Sequence, residues 1–292
     1  MSIPTRLTFI GGGHLAQAIL SGIYASKSTW KDDCAISVTA RRSEQVEELK
    51  ALYPTAFVTH NNLHPTIWDN ADSKNSASHV VFICTLPVDV PLVCKELTPA
   101  INDIDGAVRP TIVTMCPGIL VSQLQSWLPE GTPIVRSMPN TPVSCLEGST
   151  ALYPSSDALP RIDLVTTALR VVSPAVCVLP EENLLDVSAA ISGSAPAHFF
   201  YVMESMIAVG VANGLSPEAA RTMVVQSCLG SGMLSRESGR SMESLRKEVC
   251  VPGGSTEKAI AHLAKHQFPK IMQGAVEKSL QANREMRFVD GK

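Results

Sequence analysis

The chain has 292 residues, of which 45% are apolar and 17% charged, with a formal net charge of −3. That length suits two domains, and the composition supports a large buried core rather than disorder. The near-neutral balance and an aromatic content of 5% give no electrostatic or stacking case for nucleic acid, and none for an anionic membrane surface.

Short apolar runs alternate with helical patterns over the first 180 residues or so. "LTFI" (7–10) reads as a strand and "HLAQAILSGIYA" (14–25) as a helix with an apolar stripe. "AISVTA" (35–40) and "AFVTH" (56–60) are strands on either side of the helix "SEQVEELKAL" (43–52), capped by Ser43. "HVVFICT" (79–85) is a continuous apolar strand, the mark of burial on both faces. "PTIVTMC" (110–116) and "TPIVRSM" (132–138) extend the series, and strands at 148–154 and 174–179 flank a helix at about 157–170. Strand–helix alternation of this kind predicts an α/β fold with a parallel, doubly wound sheet. "NADSKNSAS" (70–78) reads as a polar loop.

From Glu181 the texture changes, and helices are predicted at 183–190, 196–213, 216–236, 241–248, 256–265 and 268–288. In "NGLSPEAA", Gly214 ends one helix, Ser216 caps the next and Pro217 sits in its first turn. The expected division is therefore 1–180, a dinucleotide-binding domain, and 181–292, an all-helical domain. The helical part is apolar on more than one face, which favours burial against a second copy of the chain.

No apolar run reaches membrane-spanning length, and "MSIPTRLTFIGGG" leaves no room for a signal peptide. The eight cysteines include no Cys-x-x-Cys pair, and Cys84, Cys116 and Cys177 fall in strand-like segments. Reduced, buried thiols in a cytoplasmic protein are the simplest reading.

"FIGGGHLAQAI" places Gly11-x-Gly13-x-x-Ala16 between the first strand and the first helix. Gly11 permits the tight turn, Gly13 lets a pyrophosphate reach the backbone, and Ala16 allows close helix–sheet packing. The phosphates then meet the positive end of the helix, beside His14 and Leu15. The end of the second strand lacks the acid that usually binds the ribose hydroxyls of NAD. It carries Thr39, Arg41, Arg42 and Ser43, a set suited to a 2′-phosphate, so NADPH is expected and NADH possible. Further cofactor contacts are expected at strand ends, from Asn61 or Asn62, from Thr85, Leu86 and Pro87, and from Cys116 and Pro117. His262 and His266 have metal-ligand spacing but no third partner nearby, and no metal site is expected.

"CVPGGSTEKAI" (250–260) breaks helical territory with two glycines and then restarts it with hydroxyl residues. Gly253 and Gly254 before a helix start present N–H groups that suit a carboxylate, and the Thr256 hydroxyl suits a ring nitrogen.

Taken with "RSMPNTP", "EGSTALY", "ISGSAPAHFFYVMESM" and "ANGLSPEAA", these stretches make the chain resemble the pyrroline-5-carboxylate reductase family over nearly its whole length. The resemblance implies a Rossmann-type domain followed by an all-helical domain that makes an interlocked homodimer, sometimes assembled further. It implies reduction of a small cyclic imino acid, 1-pyrroline-5-carboxylate, to L-proline. It also implies Thr256 as the catalytic position, and a substrate site of Val251, Pro252, Gly253, Gly254, Ser255 and Thr256 with Asn140. The chain departs from the family where Val-Lys-Pro becomes Thr85-Leu86-Pro87, where Ser becomes Val251, and where Ala195 replaces a glycine. Those departures leave open a reductase of a related cyclic imine, or a non-catalytic NADPH-binding dimer. A β-hydroxyacid dehydrogenase is disfavoured, because 183–213 contains no lysine to act as its catalytic residue.

Overall fold

The computed structural model describes residues 3–26, 29–68, 78–103 and 109–286. In the first half, β1 (Arg6–Ile10) feeds α1 (His14–Ala25), and β2 (Ala35–Thr39) feeds α2 (Ser43–Leu52). β3 (Phe57–Thr59) precedes the one-turn α3 (Pro65–Trp68). β4 (His79–Ile83) leads through a 3-10 turn at Pro87–Asp89 into α4 (Val90–Asn102), and β5 (Thr111–Thr114) leads into α5 (Val121–Trp127). β6 (Ile134–Pro139), β7 (Ser149–Pro154), α6 (Ile162–Arg170) and β8 (Ala175–Val178) complete the sheet region.

The strands form one eight-stranded sheet in the order β3-β2-β1-β4-β5-β6-β7-β8. All pairs are parallel except β6 with β7, where Ser137 lies opposite Leu152. The expected doubly wound sheet is therefore present, with one antiparallel step near its far edge. Order reverses between β1 and β4, so the crevice of a doubly wound sheet opens beyond Ile10 and Ile83.

Alternation along the central strands fills both faces. Leu7 and Phe9 join a core with α1, α2 and α6, where Phe9 stacks on Phe82 with centroids 5.0 Å apart. Ile10, Val81 and Ile83 point into a second core with α4 and α5. Every residue of β4 is buried, as its continuous apolar run predicts.

Several local expectations shift. Ser43 is the first residue of α2 rather than its cap; Arg42 holds the cap position, with no side-chain cap bond. The predicted helix at 157–170 begins as a 3-10 turn at Leu159–Arg161 and becomes α6 only from Ile162. The sequence reading assigns no helix to α4, because Pro91 and Pro99 interrupt its pattern. Pro91 is tolerated in the first turn, and Pro99 lies in the last. Cys177 is exposed rather than buried, since its strand is the sheet's edge. All but the last residue of the polar loop at 70–78 lies outside the described residues.

Helical structure continues with α7 (Leu184–Ser188), a π-turn at Ala189–Gly193, α8 (Ala195–Ala212) and α9 (Pro217–Ser238). It ends with α10 (Met242–Val249), α11 (Ser255–Lys265) and α12 (Phe268–Glu285). Gly214 adopts φ +97° at the α8 end, and Ser216 Oγ accepts from the Ala219 N–H at 3.2 Å, as the "NGLSP" pattern predicts.

Contacts divide the chain into two units, Met1–Gly193 with Leu280–Lys292, and Ser194–Ser279. The change in sequence texture at Glu181 precedes that division by one helix, because Leu185 and Asp186 of α7 are buried in the first unit. In the second unit Ala220 is the one buried apolar residue among those described. Phe199, Phe200, Tyr201, Met206, Val209, Met223 and Leu229 are exposed there.

The expectation about membrane-spanning length needs correction. Leu184–Ala212 is long and apolar enough by length and composition, with a mean hydropathy of 1.3 over its best window. Its glycine, serine and proline interruptions are uncharged, so they break the apolar run without lowering the average far.

Candidate functional site

The turn after β1 is built by backbone demand. Gly11 has φ +100°, and a Cβ there would lie 3.1 Å from the Cys84 carbonyl, so only glycine fits. Its N–H donates to Thr39 Oγ1 (3.3 Å). The Gly12 carbonyl is held twice, by Gln17 Nε2 (2.9 Å) and Gln45 Nε2 (2.8 Å). Gly13 caps α1 without any side-chain bond, which leaves the helix's first N–H groups for a ligand.

This turn forms one end of a crevice of about 890 Å³ in the first unit. Of the residues predicted from sequence, Gly11, Gly13, His14, Arg41, Arg42, Thr85 and Leu86 line it. Leu15, Ser43 and Pro87 do not, being the second residue of α1 and the first residues of α2 and of a 3-10 turn. Asn61 is also absent from the lining: its Oδ1 turns back to accept from the Leu63 N–H at 2.9 Å, and Asn62 lines the crevice in its place. Cys116 and Pro117 border a separate cavity of about 40 Å³, with Arg136, Asp186 and Asn283.

Sequence reasoning missed Gln45, His60, Asp89 and Glu96, all on the crevice wall. Gln45 lies in the first turn of α2, beside the arginines; Asp89 ends the 3-10 turn and Glu96 lies on α4, where no motif announces them. The ends of the wall are tied across: Arg41 pairs with Asp89, and Asn62 Nδ2 donates to Glu96 Oε2 (2.9 Å).

A dinucleotide suits this set. The glycine turn and uncapped helix start match a pyrophosphate, Arg41 and Arg42 match a phosphate on the ribose, and Thr85 Oγ1 is buried with no partner among the described residues. Cys84 and Cys116 flank the Thr85 backbone, Cys116 Sγ donating to the Thr85 carbonyl at 3.0 Å. Burial pushes the Cys116 thiol up to about 11 and raises Cys84 further, so neither is a thiolate near neutral pH.

In the second unit, Gly253 has φ +74° and no atom near a would-be Cβ. The expectation that both glycines offer free N–H groups is not met. The Gly253 N–H donates to Glu257 Oε2 (2.7 Å), and the Gly254 N–H donates to the Val251 carbonyl (2.9 Å). Closing the turn tightly enough to start a helix consumes them. α11 opens at Ser255, one residue before the predicted start, with Gly254 as a cap lacking a side-chain bond. The N–H groups of Ser255 and Thr256 are thus the ones available at the helix start. Val251 and Pro252 are exposed beside them. Asn140, in the first unit, uses its amide structurally: Oδ1 accepts from the Ser149 N–H (2.8 Å) and Nδ2 donates to the Ser192 carbonyl (3.3 Å). The His262 and His266 rings lie tilted against each other, centroids 4.4 Å apart and planes at 46°.

A Rossmann sheet with a phosphate-binding glycine turn, followed by a helical unit, defines an oxidoreductase of the two-part dinucleotide-binding class. A family described as pyrroline-5-carboxylate reductase dimerisation matches residues 182–286, and one described as NADP oxidoreductase, coenzyme F420-dependent, matches residues 6–105. Delta-1-pyrroline-5-carboxylate reductase apf3 of Gibberella fujikuroi is 42% identical over 97% of this chain and 96% of its own length. The pyrroline-5-carboxylate reductase of Pseudomonas aeruginosa is 29% identical over 98% of each chain. The solved structure of a pyrroline-5-carboxylate reductase from Coxiella burnetii, 26% identical, superposes with a TM-score of 0.85 over 99% of this chain and 100% of that one. The chain belongs to the pyrroline-5-carboxylate reductase family.

Proposed function

We propose that the protein reduces the C=N bond of 1-pyrroline-5-carboxylate with NADPH to give L-proline, the last step of proline biosynthesis. The observation that carries this reading is the 42% identity to a Delta-1-pyrroline-5-carboxylate reductase over 97% of the chain, which spans the glycine turn and the Pro-Gly-Gly turn alike. NADPH, when bound, supplies a hydride to the imine carbon.

The chain's own residues do the rest. Gly11, Gly13 and the start of α1 hold the pyrophosphate, and Arg41 and Arg42 hold the 2′-phosphate. The N–H groups of Ser255 and Thr256 bind the substrate carboxylate at a positive helix end. The Thr256 hydroxyl hydrogen-bonds the ring nitrogen, fixing the imine, and relays a proton drawn from solvent water to that nitrogen as the carbon accepts hydride, so the hydroxyl itself ends unchanged.

We also propose a cytoplasmic homodimer, with the functional division near residue 181. The exposed apolar faces of α8 and α9 and the dimerisation family matched from residue 182 support this. A second reading, a related cyclic imine as substrate, is favoured by Leu86 and Val251: both are strongly exposed, at 66% and 65%, where the family has lysine and serine.

A panel of five- and six-membered cyclic imines, carboxylated on the imine carbon or on the saturated carbon beside the nitrogen, tests the proposal with both cofactors. The expected result is the highest kcat/KM for 1-pyrroline-5-carboxylate with NADPH. A higher value for a six-membered imine shifts the substrate. NADPH binding without turnover of any imine removes the enzymatic reading.

A further inference from the structure

The dinucleotide crevice has lips of opposite charge. The turn between β2 and α2 presents Arg41 and Arg42; across from it, the approach to α4 and its exposed face present Asp89 and Glu96. Arg41 and Asp89 pair directly across the opening. The partners differ in freedom. The Asp89 side chain is 23% exposed, and the residue ends a 3-10 turn pinned by its own N–H donating to the Leu86 carbonyl at 3.0 Å. The Arg41 side chain is 78% exposed and can swing. The guanidinium offered to a 2′-phosphate is therefore already shared with a carboxylate that does not move with it.

We infer that Asp89 is a specificity-determining residue that sets the NADPH-to-NADH ratio, by competing with the cofactor 2′-phosphate for Arg41. A phosphate seated on Arg41 displaces Asp89 from its partner and brings two anionic groups close together, which costs affinity. NADH places a hydroxyl at the same position. Asp89 can accept from that hydroxyl, supplying from the α4 side the acid that the end of β2 lacks. Asp89 thus narrows a preference that Arg41 and Arg42 alone make wide. The inference rests on the proposed dinucleotide reading and extends it to a residue that no glycine or arginine motif identifies.

Titration calorimetry with adenosine 2′,5′-bisphosphate and with 5′-AMP tests this without catalysis. Asp89→Asn is expected to tighten the bisphosphate by about 1.5- to 5-fold, the range of one partly exposed charge pair, with AMP unchanged or weaker. In an Arg41→Ala background the same substitution is expected to give no gain, because the competition has lost its object. The kcat/KM ratio of NADPH to NADH should rise in parallel in the single variant. Unchanged or weaker bisphosphate binding in Asp89→Asn overturns the inference, and so does a gain that persists without Arg41. A wild-type protein that binds neither probe overturns the dinucleotide reading itself, and this inference with it.

Discussion

Arg136 Nη1 donates to Glu182 Oε1 at 2.9 Å, and the same carboxylate oxygen accepts the Val121 N–H at 2.7 Å. One acid thus ties β6 to the first turn of α5. The Arg136 side chain is 6% exposed, so its charge has little access to water. Glu182→Ala leaves that guanidinium buried without its ion partner and is expected to cost about 3 kcal/mol. Glu182→Gln keeps an acceptor oxygen and is expected to cost about half as much. Urea unfolding of the three proteins checks the order; equal midpoints would show that the pair carries no net stability.

Thr256 is the second residue of α11, two after the uncapped Gly254, with its hydroxyl and N–H both in the first turn. Removing a single hydrogen bond to a charged reacting group lowers kcat by about 10- to 100-fold. Thr256→Ala is therefore expected to lose turnover in that range while NADPH binding, measured by fluorescence titration, stays within about twofold of wild type. Thr256→Ser keeps the hydroxyl and should recover most of the rate. A serine variant as slow as alanine assigns the loss to packing rather than to the hydroxyl.

The legible and illegible parts of this protein separate by the range of the interactions involved. The run from β1 through Gly11 and Gly13 into α1 is a local pattern, and so is Gly214-Leu215-Ser216-Pro217; both appear in the structure as the spacing predicts. The antiparallel β6–β7 step is set by which edge the chain returns to, which no local pattern records. Asp89 faces Arg41 across 48 positions of sequence, and a non-local pair of exposed charges leaves no periodic trace. At the Pro-Gly-Gly turn the two glycines were readable as a special backbone. The fate of their N–H groups depended on Glu257, four residues on, whose carboxylate reads equally well as an ordinary first-turn acid.

Arg41 and Arg42 stand together on the crevice wall past the C-terminal end of β2, where no acid occurs before Glu44. Replacing both by alanine removes the cations that match a 2′-phosphate but leaves the glycine turn untouched. KM for NADPH is expected to rise by about 30-fold or more, and KM for NADH by less than about threefold. Steady-state kinetics with each cofactor at saturating imine gives both numbers. Equal losses for the two cofactors would place the arginines on the pyrophosphate or on the fold instead.

His79 sits in β4 with its Nε2 2.9 Å from Thr8 Oγ1 and its ring 5.8 Å from that of Trp68. Burial, helped by the nearby Arg6 charge, drives its pKa from 6.5 down to about 3. The folded protein therefore holds His79 neutral where the unfolded chain protonates it. Below pH 6.5 the unfolded state binds the extra proton, so stability falls with pH and continues to fall until about pH 3. The contribution is full above 6.5 and amounts to at most about 1.4 kcal/mol per pH unit below it. Urea midpoints measured from pH 7.5 to 4.5 are expected to decline more steeply in wild type than in His79→Gln, which cannot take up the proton. The variant is expected to start lower at pH 7.5, because Gln fills the ring's space poorly against Trp68. Parallel declines would assign the acid sensitivity to other groups.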